Sequence, residues 1–234
     1  MYVNEVGDFL RMLVDDPNQV FLSPSRLATF LQQGYLQYHS QVSQQAPEVF
    51  ETFYQPAAVP SGAYELNLDG VLFGANPSQR RCQRMTRVVA IDPATGLLIG
   101  ILQPAASYET LAPNTSGTMQ LRIYPNIRWW LDGRVLRFSA AMTLTIQIWY
   151  IPDPNINWAQ GLATPGTYID DLTQFHDLIA LKAARFYYVA DGAANAEIAR
   201  MTMQREADMN AYFAETRSGR GSRYVLDESG GFPR

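Results

Sequence analysis

The chain has 234 residues, 47% of them hydrophobic and only 17% charged, with a formal net charge of -4. That length supports one large domain or two smaller ones, and the acidic balance argues against a protein whose whole face grips phosphates. The single cysteine, Cys82, excludes an internal disulfide, and two histidines without cysteine companions supply no zinc ligand set, so neither metal nor cofactor is expected.

Met1 is followed by Asn4, Glu5 and Asp8 rather than a basic and then apolar leader, and nowhere do about 18 apolar residues run together. A soluble protein without a standard secretion signal or membrane partner is therefore expected. Asn4 is placed to cap a first helix whose stripe is Val6, Phe9, Leu10, Leu13 and Val14, ending at Asp15-Asp16-Pro17. Ser23-Pro24 offers an N-cap followed by proline at the first helical position, and predicts a second helix to about Val42 with Leu27, Phe30, Leu31, Gly34, Tyr35 and Tyr38 buried.

From Ser43 to Gly62 the pattern breaks into Gln, Pro and Ala, which predicts a linker. Beyond it the period becomes two. Tyr64 to Leu68, Arg87 to Ile91, Leu97 to Leu102, Met119 to Tyr124, Arg128 to Leu131, Val135 to Phe138 and Thr143 to Tyr150 read as strands, with a hairpin turn at Asp132-Gly133. In the last strand Leu144, Ile146, Ile148 and Tyr150 share one face. Ile169, Leu172, Phe175, Ile179, Ala183, Phe186 and Ala190 then return to helical spacing, Gly192 supplies a left-handed break, and Ile198, Met201, Arg205, Met209, Tyr212 and Phe213 resume the period. The result is a helical hairpin.

The expected fold class is α+β: a helical bundle of two N-terminal helices and a C-terminal hairpin, with an inserted antiparallel β domain and an extended C-terminal arm. Residues 1–62 hold the first helices and linker, 63–152 the β insertion, 153–217 the hairpin and 218–234 the arm. Ser218-Gly219-Arg220-Gly221-Ser222-Arg223 is too polar and Gly-rich to order by itself, yet Tyr224, Val225, Leu226 and Phe232 follow it. Such a tail is either a remnant or a docking peptide.

Neither a phosphate-cradling glycine motif nor a nucleophile elbow is present. His39 and His176 lie within predicted helices without a Ser or Cys partner, and Asp15-Asp16 and Asp170-Asp171 sit at helix boundaries, where carboxylates satisfy free N–H groups. Glu65 and Glu109 could be imagined as glycosidase acids, but sequence supplies no carboxylate separation. Arg80, Arg81, Arg84 and Arg87 form the densest basic cluster, either a phosphate or acidic-partner contact or a strand edge blunted by charge. Of Trp129 and Trp130, one is expected in the core and one on the surface, and Trp149 lies opposite the apolar face of its strand. Trp130 and Trp149 are thus candidate partner contacts.

Four places carry a resemblance: the helix Ser23 to Val42; Tyr64-Glu65-Leu66; the run Arg137 to Pro152, ending in Tyr150-Ile151-Pro152; and Phe175-His176-Asp177-Leu178-Ile179 leading to Ala183-Ala184-Arg185. The chain resembles the head-to-tail adaptor (connector) proteins of tailed bacteriophages, in the short-tailed-phage version with a β domain. It departs from them at Ser139 and Ala140, where a proline is usual before Leu144. The resemblance implies a non-enzymatic virion protein of the neck, assembled in the host cytoplasm. It further implies a ring of twelve copies that binds the portal and meets a tail nozzle, tail tube or tail fibres, with only transient genome contact during DNA ejection. Arg217, Arg220, Arg223, Tyr224, Val225, Leu226 and Phe232 would form the portal-binding arm. Another tail or neck component and a cell-wall hydrolase are the alternative functions.

Overall fold

The computed structural model describes all residues except 17, 19, 56–62, 74–80, 93–94, 96–97, 106–126, 143–144 and 222–234, and the backbone alone at 63, 98, 142 and 217–221. The chain forms two compact units, one of Met1–Val49 with Ile156–Arg234 and one of Phe50–Asn155.

The first unit holds α1 (Val3–Leu13), α2 (Pro24–Gln45), α3 (Trp158–Ala163), α4 (Asp177–Ala190) and α5 (Ala196–Gly221). Helix α4 is its centre: every residue from Leu178 to Ala184 is buried. A helix buried on all sides needs partners all round, and α1, α2 and α5 each pack on it. Helix α2 runs antiparallel to it, with Phe30 5.9 Å from Tyr187 and Tyr38 6.4 Å from His176 between ring centres. At the crossing Gly34 brings the two backbones together.

Local chemistry sets the helix ends. Ser23 Oγ accepts from Arg26 N–H at 3.4 Å, with Pro24 opening α2. Gly192, at φ 70°, ends α4: its N–H bonds to Val189 O, and Ala193 N–H reaches back to Tyr188 O, the paired bonds of a Schellman motif. Asn195 Oδ1 then accepts from Glu197 and Ile198 N–H at 3.1 Å each and starts α5. The expected cap at Asn4 is not formed. Helix α1 starts two residues earlier, with Tyr2 as its N-cap, and Glu5 takes the Tyr2 N–H at 2.8 Å, leaving Asn4 Oδ1 buried and unpaired.

The second unit is one curled sheet of β1 (Thr52–Tyr54), β2 (Ala63–Asn67), β3 (Cys82–Ile91), β4 (Leu98–Pro104), β5 (Arg128–Asp132), β6 (Val135–Met142) and β7 (Thr145–Pro152). The strand order is β1-β7-β3-β4-β5-β6-β2. Its inner face collects Val88, Ala90, Leu102, Trp129, Leu136, Phe138, Ile146, Ile148 and Tyr150, the alternate residues that a pleated strand turns to one side. Leu144 lies outside the described residues. Asp132 pairs with Val135, so the hairpin turn is Gly133-Arg134, one residue later than expected.

The expected architecture is corrected in three respects. The sheet is not an antiparallel insertion but a seven-stranded mixed sheet, because β4 and β5 pair in parallel, Gln103 with Arg128 and Pro104 with Trp129. The long connection between Pro104 and Arg128 permits this, since a parallel pair needs a crossover of about a dozen residues or more. Among the described residues the helices are not a pair plus a hairpin but five, with α4 enclosed at the centre and α3 added. The extended arm does not begin at residue 218, because α5 continues to Gly221. The strand expected at Met119 to Tyr124 lies outside the described residues.

Candidate functional site

The sequence candidates fall in two places. On the sheet, register shifts between Cys82 and Arg84 and between Met85 and Arg87 break the alternation of β3. Arg81 and Arg84 are exposed and Arg87 is half-buried. Arg81 pairs with Asp153 at 3.6 Å and Arg87 with Glu51 at 2.7 Å. Arg80 lies outside the described residues. Two of these cations therefore carry a carboxylate at hand, which lowers the local field available to a phosphate.

Arg87 also stands over Trp149, its guanidinium carbon 4.2 Å from the ring centre. Phe53 of β1 packs on the same ring at 5.3 Å, and Glu51 receives both Arg87 and Thr86 Oγ1. Trp149 is thus the middle of a layer that ties the short edge strand β1 to β7 and β3. Trp130 is half-buried on the face opposite Trp129, which is 7% exposed and donates from Nε1 to Leu102 O at 3.0 Å. Glu65 lies 3.6 Å from Arg137, which also reaches Asp132 at 3.0 Å, while Glu109 lies outside the described residues.

The second place is the end of α5. Arg205 joins α5 to the start of α4, donating to Asp177 at 2.6 and 2.9 Å and to Gln174 O at 2.7 Å, and Lys182 pairs with Glu206. The hydrogen bonds to Asp177 raise the Arg205 pKa. Phe213 is buried against Phe175, and α5 continues through residues 214–221, about 12 Å at about 1.5 Å per residue. Arg217 and Arg220 stand on this last stretch of helix. Arg223, Tyr224, Val225, Leu226 and Phe232 lie outside the described residues.

Two buried polar centres were hidden in the sequence behind ordinary helix-boundary residues. Asp16, 2% exposed, accepts from the N–H groups of Val20, Phe21 and Leu22 at 2.7, 3.1 and 2.7 Å and from Arg11 at 3.4 Å. Burial raises its carboxyl, but those three N–H groups and the Arg11 charge outweigh burial and hold it below its usual value. His176, fully buried, faces Met1 O at 2.9 Å through Nδ1 and Asp170 Oδ1 at 2.8 Å through Nε2. Tyr38 reaches the same carboxylate oxygen at 3.4 Å, and burial together with Asp170 raises its hydroxyl pKa. The network fastens the N-terminus to the start of α4. Among the described residues no three His, Cys, Asp or Glu side chains stand close enough to hold a metal, and no described helix is long and apolar enough to cross a membrane.

A scan against protein-family models returns no match, and a search of curated proteins returns none either.

Proposed function

We propose that the chain is a structural subunit of a tailed-bacteriophage neck, a head-to-tail adaptor whose copies form a ring that joins the portal to the tail and continues the DNA channel. The observation that carries this reading is α5. Beyond Phe213, its last buried residue among the described side chains, Ala214 and Glu215 are exposed and the helix runs on to Gly221, among the residues for which the family resemblance implies portal contact. A helix that leads into a tail carrying Arg223 and the apolar Tyr224, Val225, Leu226 and Phe232 suits a segment that orders on a partner. One such segment binds weakly, and repetition around a ring supplies the remaining affinity.

A low share of charged residues favours broad subunit contacts, and net acidity favours a channel wall along which DNA slides. The test is docking to the portal ring of the same virion, imaged with the full chain and with residues 218–234 removed. The reading expects a ring seated on the portal for the full chain and loss of docking for the truncated one. A full chain that never docks contradicts the function, and a truncated chain that docks equally well contradicts the role given to the C-terminal segment.

A further inference from the structure

Helix α2 packs on α4 with one side, and its other side is free of charge from end to end. Residues 27–47 contain no Asp, Glu, Lys or Arg, and His39 among them is buried. The exposed residues Thr29, Gln33, Leu36, Ser40 and Gln44 recur at steps of three and four and so form one stripe. Leu36, 44% exposed, stands near its middle. A helix face left to water ordinarily carries charge, as α5 does with Glu197, Arg200 and Glu215. Depletion of charge along a whole face is instead the composition of an interface centre. Such a stripe gives a nucleic acid no cation, and a partner that laid a charge on it would bury that charge unpaired.

The stripe is complementary to itself run in the opposite direction. Gln33 and Ser40 lie almost equally far from Leu36 on either side, and so do Thr29 and Gln44. Laid antiparallel, each long amide stands opposite a short hydroxyl, large side chain against small and donor against acceptor. Thr29 Oγ1 donates to Ser25 O at 3.0 Å, which leaves its lone pairs to accept from an amide. Ser40 Oγ accepts from Gln44 Nε2 at 3.4 Å and keeps its own proton to donate. The charges that close the stripe have opposite signs: Arg26 at the start of α2 and Glu48 just past its end, both exposed. An antiparallel pair brings Arg26 of each copy to Glu48 of the other, whereas a parallel pair brings like charges together.

We infer that two copies of the chain pair through α2, antiparallel, with Leu36 against Leu36 at the twofold axis. The contact is isologous and closes on itself. It does not propagate into a ring, so it is separate from the contact the adaptor reading requires and stands without that reading. A helix face about 33 Å long and about 10 Å wide buries about 330 Å² per copy. A standard interface buries roughly 800 Å² per partner, so the pair is weak and reversible.

The test is sedimentation equilibrium of the full chain as wild type, Leu36→Arg, Arg26→Glu, Glu48→Arg and a mixture of the last two. Leu36→Arg should raise the concentration for half-pairing by about tenfold or more. Arg26→Glu sets two carboxylates together at each end of the pair and Glu48→Arg two guanidiniums, so each should pair more weakly than wild type. Mixed, these two variants bring opposite charges together again and should pair more tightly with each other than either does with itself. In a second measurement, Leu36→Cys should cross-link to itself on oxidation, while Met203→Cys, at a position 62% exposed on α5, should not.

A wild-type chain that stays monomeric at about 1 mM, a mixture that pairs no more tightly than its components, or a Leu36→Cys chain that fails to cross-link overturns the pairing. None of these results touches docking to the portal, so the adaptor reading is tested apart from this one.

Discussion

Gly34 of α2 lies so close to Ile179 of α4 that a Cβ at Gly34 would stand 2.4 Å from the Ile179 carbonyl oxygen. It would also stand 2.9 Å from Ala183 N, so the atoms in the way are backbone and cannot rotate aside. This closeness lets α2 cover a helix that has Ala180, Ala183 and Ala184 on its buried surface. Gly34→Ala gains helix propensity of about 1 kcal/mol but overpacks the crossing. A net loss of about 2 kcal/mol is expected, lowering the melting transition of the helical unit by roughly 4 to 8 °C in calorimetry. An unchanged or raised transition would show that the helices do not cross there.

His176 links the first residue to the start of α4. Both of its ring nitrogens face oxygen acceptors, Met1 O and Asp170 Oδ1. His176→Leu removes both bonds and leaves the buried Asp170 carboxylate with Tyr38 and the Leu172 N–H. A destabilisation of about 2 to 3 kcal/mol is expected. Hydrogen exchange should show the loss of protection concentrated in α1.

Asp16 predicts an acid-dependent effect with a definite sign. Its folded carboxyl is held below the ordinary value of 3.8. The stability it contributes is therefore fully present above that value and is lost as pH falls through the lower, folded one. Asp16→Asn should melt below wild type at pH 7, and the gap should shrink as pH drops below about 4. A gap independent of pH would mean that the carboxylate charge plays no part in holding the Val20–Phe21 loop.

Cys82 is 6% exposed, and burial, with Asp153 nearby, pushes its thiol up to about 12. Since the thiolate is the reactive form, native protein should resist iodoacetamide at pH 8, and unfolding in urea should release one reactive thiol per chain. Rapid native labelling would contradict the buried placement of β3.

The Arg205–Asp177 pair is partly exposed, so its coupling is modest. A double-mutant cycle with Arg205→Gln and Asp177→Asn should return about 1 kcal/mol of coupling, diminished by salt. A coupling near zero would mean that apolar packing alone sets the position of α5.

Much of the local structure was legible because its signal lies within a few residues. Ser23-Pro24 announced α2, Gly192 the break between α4 and α5, and Ile146, Ile148 and Tyr150 the inner face of β7. What escaped depends on distant partners. Periodicity marks a strand but says nothing of its neighbour, so the parallel pairing of β4 with β5 could not be read. The stripe through Ile179 and Ala183 gave α4 one buried face, while the alanines beside it, which suit surface or close packing equally, gave no hint of the others. His176 reaches Met1 across the length of the chain. At the end of α5, Gly219 and Gly221 argued for a break, yet the helix runs to Gly221, and no described contact explains why it continues. Of the site, Trp149 was picked out by strand alternation, but Phe53 and Arg87, which pack on its ring, are joined to it only by the fold.

The most direct test of the adaptor reading is electron cryomicroscopy of the full chain mixed with the portal ring of the same virion. The account predicts a closed ring of copies seated on the portal, with the end of α5 directed at it and a continuous central channel. Single copies scattered in solution beside an undecorated portal would contradict it.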